Sequence, residues 1–446
     1  MSKSAPAVTA GTRSPAGSIL VAALAFVLAG CATNHPMMPT PVLYTGENAR
    51  PLFTDSSLSR RPSLDLLFIT DRTKAEQAGD PPYTAERSRS MAFGSATIEF
   101  GEHVSWDALV RESTATQRVD PLQLTLGSTT ELGRFPAIPY EVVVGPDGVK
   151  RTAPVVEAYE RAKRLLQGEI ASRLGIARRK EVVLFVHGFN TSFESAALTM
   201  GELCHFLGRD FVCGIFTWPA GGRRGTLFGY DVDRESAEYA VEDLVKAIRI
   251  VGRTPGVERV HLIAHSRGTD TVATALAQLS AEAYMRRSSP DREFHIANVV
   301  LLAPDLDADV AITKIFKVFS DPDLPFGDNA APEALAPPPG MKLSLYVSPD
   351  DQAIATASWL FGSIARLGRI DAAMFTPEQI TAIGMLGAVD IIQVRGTTDF
   401  FGHSYFVSNP RVSADIVAML RYDLQPNDPG RALEQIAGPF WRVPAQ

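Results

Sequence analysis

Cysteine is scarce in this chain, three residues in 446, too few for a disulfide scaffold. Histidine occurs eight times without any regular ligand spacing of a zinc site, so no metal is expected, nor does any motif call for a cofactor. Positive charge is not in excess: the formal net charge of −7 gives no support to a nucleic-acid partner, and none is expected. No apolar run reaches the roughly 20 residues a spanning helix needs. What is present, 45% hydrophobic and 21% charged residues, is the composition of an ordinary globular protein. Disordered, collagen-like and polytopic membrane classes are thereby disfavoured. At roughly 100–200 residues per domain, the length suggests two or three domains or one large α/β domain with extensions.

The first 30 residues stand apart. Lys3 and Arg13 precede an apolar run from Ile19 to Leu28, with no acid among them. The run closes on Leu28-Ala29-Gly30-Cys31, a short apolar stretch ended by small residues, as in a secretory signal peptide. The cysteine makes it resemble a bacterial lipoprotein signal. That resemblance implies cleavage before Cys31, acylation of its sulfur by chains such as palmitate, and a membrane anchor without a spanning helix. By the same resemblance, Ala32 rather than Asp after the cysteine favours the outer membrane, facing the periplasm; the plain alternative is a signal peptide with an incidental cysteine. Cys204 and Cys213 remain in the mature chain and are open to pairing or to standing as buried thiols.

Residues 1–30 therefore read as signal peptide and 31–62 as anchor and tether, rich in Pro, Thr, Ser and Asn. Residues 63–180 read as N-terminal edge strands and a helix, 181–424 as the core, and 425–446 as a tail. From Glu181 onward apolar strands alternate with amphipathic helices: Val182–Val186, Phe211–Thr217, Arg259–Ala264, Ile296–Leu302, Lys342–Val347 and Ile391–Arg395 read as strands. That alternation implies an α/β fold, a doubly wound, mostly parallel sheet with helices on both faces, the first two strands (near 64–70 and 91–100) at an antiparallel edge.

The sharpest chemical signal is Ala264-His265-Ser266-Arg267-Gly268, placed between a strand and a helix. It is a variant of the G-x-S-x-G nucleophile elbow, in which small residues two before and two after the serine permit a tight turn. The plain alternative is an N-capping serine. Upstream, Val186-His187-Gly188-Phe189-Asn190 ends a strand where such a fold places its oxyanion loop. There the amides of Phe189 and Arg267 are the expected oxyanion donors, while His187 reads as structural. Downstream, Gly402-His403-Ser404 lies between the last strand and the last helix. The chain order Ser, acid, His makes His403 the expected general base. The acid is Asp351, with Asp305 as the alternative. Asp350, after Pro349, suits the N-cap of the helix beginning near Gln352.

With these segments in view, the chain resembles the α/β hydrolase superfamily, and within it the branch called domain of unknown function 900. The matching stretches are Phe68–Arg72, Phe185–Phe193, Phe216–Pro219, Ala264–Gly268, Ala303–Asp307 and Gly402–Phe406 with Asn409-Pro410. The resemblance implies a Ser266, His403 and Asp351 triad served by two backbone amides. Arg267 departs from the methionine common in that family, a change expected to narrow the site or favour an anionic acyl group.

The function expected is a membrane-anchored serine hydrolase of esterase or lipase type acting on small-molecule or lipid esters through an acyl-enzyme. The other readings are a catalytically silent envelope binding module and an acyltransferase using the same triad. Residues 221–230 and 321–340 are placed to cover the site as lids or to serve as plain connections, and the sequence leaves the oligomeric state open.

Overall fold

Fourteen strands carry the architecture of the computed structural model, which describes residues 35–54, 60–77, 79–222, 226–315, 340–355, 366–385, 387–396 and 402–444. They are β1 (His35–Pro36), β2 (Ser63–Lys74), β3 (Tyr83–Phe100), β4 (Gln123–Arg134), β5 (Val142–Gly145), β6 (Gly148–Arg151) and β7 (Glu181–Val186). The rest are β8 (Val212–Thr217), β9 (Arg259–His265), β10 (Ile296–Leu302), β11 (Lys342–Val347), β12 (Val389–Gln393), β13 (Glu434–Ala437) and β14 (Phe440–Arg442). Twelve form one sheet in the order β1-β4-β3-β2-β8-β7-β9-β10-β11-β12-β14-β13, while β5 and β6 make a separate hairpin. Every pairing from β2 through β14 is parallel. The fold is the expected α/β type with a mostly parallel central sheet.

The central strands are fully buried because both faces are covered. Along β7, Val182, Leu184 and Val186 face one apolar cluster and Val183 and Phe185 the other. Helices α1 (Ala153–Ile176), α3 (Thr226–Gly252) and α4 (Gly268–Met285) pack on the first face. Helices α2 (Phe193–Phe206) and α5 (Pro410–Tyr422) pack on the second. The turns that follow β7, β8, β9, β10 and β11 all open at the same sheet edge, which is where parallel topology gathers chemistry.

Two expectations need correction. Residues 35–54 are a packed part of the fold and not a tether. Met37, Met38, Tyr44 and Leu52 are buried, and β1 pairs with β4. Arg118 donates to the carbonyls of Met37 and Met38 at 2.7 Å, and Glu202 accepts from the Met38 amide at 2.7 Å. Side chains distant in sequence satisfy this backbone, so no local periodicity marks it. Residues 425–444 are likewise not a tail, since β14 extends the sheet in parallel beside β12. The two strands assigned to an antiparallel edge, β2 and β3, do pair antiparallel; β4 and β1 extend that edge beyond β3, and β2 joins it in parallel to β8. Cys204 and Cys213 form a disulfide between the end of α2 and β8, with Cα atoms 6.1 Å apart.

Candidate active site

Ser266 sits where β9 turns into α4, with φ of 52°, a left-handed conformation costly for a residue carrying a Cβ. The surroundings enforce it. The Ser266 amide donates to the Leu302 carbonyl at 2.9 Å, and the Ser266 carbonyl accepts from the amides of Thr269 at 3.0 Å and Asp305 at 3.3 Å. The small residues of the motif are needed on steric grounds. Ala264 is fully buried, and a Cβ on Gly268 would stand 2.3 Å from the His187 carbonyl oxygen. The helix start is thus pressed against the end of β7, which carries the expected oxyanion loop.

That loop passes over the serine. A Cβ on Gly188 would lie 2.6 Å from Ser266 Cβ and 3.2 Å from its Oγ, so only glycine lets the chain come this close. The two amides expected to serve as oxyanion donors, those of Phe189 and Arg267, make no hydrogen bond to the protein among the described residues. The Arg267 side chain turns along the helix to pair with Asp270 at 2.9 Å. His187 is buried, its ring stacked on Trp218 at 4.9 Å, in keeping with a structural role.

His403 and Asp351 meet directly. The His403 Nδ1–H donates to Asp351 Oδ2 at 2.8 Å, the imidazole partly exposed and the carboxylate fully buried. The other carboxylate oxygen accepts the Ile354 amide at 2.9 Å. Asp351 therefore caps the helical residues 352–355 as well as holding the imidazole, and Asp350, which is exposed, is not the cap. The expectation for Asp350 failed because the residue after Pro349 and the next one are equally good caps by type, and only the direction of the side chain separates them. His403 is seated beside the elbow through His265, the residue before the serine. The two rings are 4.9 Å apart, and the His265 Nε2–H donates to the His403 carbonyl at 3.2 Å. Burial, aided by the neighbouring His403, holds His265 down to about 3, so it stays neutral beside the candidate base.

Asp305 lies close to the serine backbone but is engaged elsewhere. Arg366 approaches its Oδ1 at 3.0 Å, and the Tyr230 hydroxyl donates to its Oδ2 at 2.8 Å. Burial and the Asp305 charge push the Tyr230 hydroxyl above its usual range, and the ring packs on Phe189 at 5.3 Å. Residues 226–230, read as part of a lid or connection, are the first turn of α3, whereas 223–225 and 321–339 lie outside the described residues, as does Cys31.

Two residues near the site escaped the sequence reading of roles. Asp233 on α3 accepts from the Asn190 amide at 3.0 Å and the Gly221 amide at 3.2 Å, fastening the oxyanion loop to the loop after β8. Arg72, at the site end of β2, is fully buried. Asp71-Arg72, directly after the apolar run Leu66–Ile69 of β2, was the available signal, because a buried guanidinium needs acceptors.

The family profile described as alpha/beta hydrolase of unknown function (DUF900) matches residues 162–421. Among solved structures, the chain is similar to a predicted CIB-like hydrolase from Thermoplasma acidophilum, with 16% identity, 55% of this chain and 87% of that one covered, and a TM-score of 0.30. It is similar to a Pyrobaculum calidifontis esterase at 14% identity, covering 55% and 78%, with a TM-score of 0.30. Est1E from Butyrivibrio proteoclasticus, solved with ferulic acid bound, is similar at 12% identity, covering 55% and 90%, with a TM-score of 0.28. No curated protein matches the chain.

Proposed function

This chain belongs to the alpha/beta hydrolases of unknown function grouped as DUF900, and from that membership we propose that it is a serine hydrolase acting on ester bonds. Ser266 attacks the ester carbonyl, and His403 takes its proton and delivers it to the leaving alcohol. Asp351 keeps the His403 proton on Nδ1 and offsets the imidazolium charge as it forms. The oxyanion settles between the amides of Phe189 and Arg267, and water then releases the acyl group. The observation that carries this reading is the His403–Asp351 contact of 2.8 Å on the loops beside a serine held at positive φ. Its test is a fluorophosphonate probe on the mature domain. Wild type should be labelled at Ser266 and hydrolyse short-chain esters, while Ser266→Ala should fold and do neither. A folded wild type inert to the probe and to a panel of acyl lengths would end the reading.

The enzyme is further proposed to work in the bacterial envelope, tied by acylated Cys31 to the outer membrane and acting on small-molecule or lipid esters. The Leu28-Ala29-Gly30-Cys31 sequence supports this, as does the Cys204–Cys213 disulfide, a bond that persists in oxidising compartments. Growth with labelled palmitate should mark wild type and not Cys31→Ser. Labelling and membrane retention of that variant would refute the anchor.

A further inference from the structure

The Arg72 guanidinium has five N–H donors, and all five find acceptors on segments that surround the oxyanion loop. Nε donates to Thr217 Oγ1 at 2.8 Å. One terminal nitrogen donates to the carbonyls of Thr84 at 3.1 Å and Ala220 at 3.0 Å. The other donates to the Thr191 carbonyl at 2.6 Å and to His187 Nε2 at 3.2 Å. The side chain thus joins β3, the loop after β8 and both ends of the oxyanion loop.

The last of these contacts carries a chemical consequence. A guanidinium only donates, so the His187 Nε2 facing it must be the bare, accepting nitrogen. The Trp218 amide, 3.1 Å away, donates to the same atom, and the Thr217 hydroxyl at 3.0 Å, which already accepts from Arg72 Nε, has its own proton left to donate there. Burial and the Arg72 charge hold His187 well below the usual histidine range, so the ring stays neutral and its single proton resides on Nδ1. That Nδ1–H donates to the Gly188 carbonyl at 2.9 Å. In a trans peptide the carbonyl and the following N–H point in opposite directions. Fixing the Gly188 oxygen on the His187 side therefore turns the Phe189 N–H away from His187. The Gly188 residue it leaves lies against Ser266, within 3.2 Å of Oγ at its Cβ position, and this amide makes no hydrogen bond to the protein among the described residues. Arg72 itself stays charged at neutral pH, since burial lowers it only to about 10.

We propose that Arg72 is a positioning residue of the oxyanion hole, which acts by assigning the His187 tautomer and through it the direction of the Phe189 N–H. The proposal rests on the serine hydrolase reading. It distinguishes Arg72 from a simple clamp between loops: a clamp would affect substrate binding, stability and turnover together, whereas a misdirected amide is felt where the oxyanion forms.

Two variants divide the possibilities. Arg72→Lys keeps the charge but supplies donors from a single atom and cannot span the same acceptors. His187→Gln keeps an acceptor for Arg72 at the Nε2 position, while its NH₂, one bond farther from the backbone than Nδ1, is out of place for the Gly188 carbonyl. Both should fold with the Cys204–Cys213 bond intact, lower kcat about 10²–10³-fold, and leave KM within about threefold, the signature of a lost oxyanion donor. Histidine nitrogen-15 spectra of wild type should place the His187 proton on Nδ1 from about pH 5 to about pH 8. If Arg72→Lys unfolds, His187→Gln and the spectra still decide. A folded His187→Gln with near wild-type kcat, or a His187 proton found on Nε2, overturns the positioning role in an active enzyme. A wild type inert to fluorophosphonate overturns the hydrolase reading and this proposal with it, so the two failures are told apart.

Discussion

Asp351→Asn separates the two duties of one carboxylate. In the native site Oδ2 accepts from the His403 Nδ1–H and Oδ1 from the Ile354 amide, and the group is wholly buried. An amide of the same shape has one acceptor and one donor end. If its oxygen stays on the Ile354 amide, the cap survives and the NH₂ faces His403, forcing the imidazole proton from Nδ1 to Nε2. If it flips, His403 keeps its tautomer but two donors meet at the helix start. A cap is worth about 1 kcal/mol, a preference of roughly fivefold, so the first orientation dominates. The wrong tautomer cannot accept the serine proton, and kcat should fall by up to ~10⁴ with KM little changed. Stability should fall by less than about 1 kcal/mol. Asp305→Asn should behave in the opposite way. It leaves the buried Arg366 charge uncompensated, costing about 3–5 kcal/mol, while turnover of the folded fraction stays within about tenfold. Ester turnover and thermal unfolding, measured on both variants, provide the comparison. An inactive Asp305→Asn beside an Asp351→Asn of near wild-type rate would refute the assignment of the acid.

Gly188→Ala would put a methyl 2.6 Å from Ser266 Cβ, so kcat should fall at least tenfold, and unaltered turnover would show that the loop does not lie against the serine in solution. Cys204→Ser opens a link between residues nine apart in sequence and should lower stability by about 2–3 kcal/mol in chemical denaturation, with little change in kcat of the folded enzyme. Burial depresses His187, His205, His261 and His265 in the folded state, whereas the unfolded chain takes up these protons near pH 6.5. Their neutral packing therefore contributes full stability above about pH 6.5 and loses it progressively as the pH falls toward 3, where His265 titrates. The melting temperature should drop steadily from pH 7 to pH 4, and a flat profile would contradict the burial of these rings.

The strands of the core were legible because burial on both faces leaves an uninterrupted apolar run, and the boundaries of β10 and β11 match the pattern residue for residue. The elbow was legible because its constraint is local: five consecutive residues must make one turn. Elements satisfied from a distance were not. β13 and β14 are short and alternate poorly, with only Phe440 buried, so their place in the sheet depends on the register of β14 with β12 that no window of sequence contains. The segment from His35 depends in the same way on Arg118 and Glu202. Asp233 looks like any acid on an amphipathic helix until the loop amides it receives are in place.

The packed start of the fold has a consequence for how an anchored enzyme would find its substrate. Between Cys31 and His35 there are only four peptide steps, at most about 14 Å of extended chain. His35 is itself fastened, through β1 to β4 and through its ring to Glu202 at 3.2 Å. With Cys31 acylated as proposed, the body could neither tumble freely nor range far from the bilayer. It would ride at one height with one sheet edge turned to the lipid, drifting in two dimensions. Encounter would then be governed by lateral diffusion and by which ester groups rise to that height, so lengthening the leash with inserted Gly-Ser repeats should alter the turnover of membrane-borne esters while leaving soluble ones untouched.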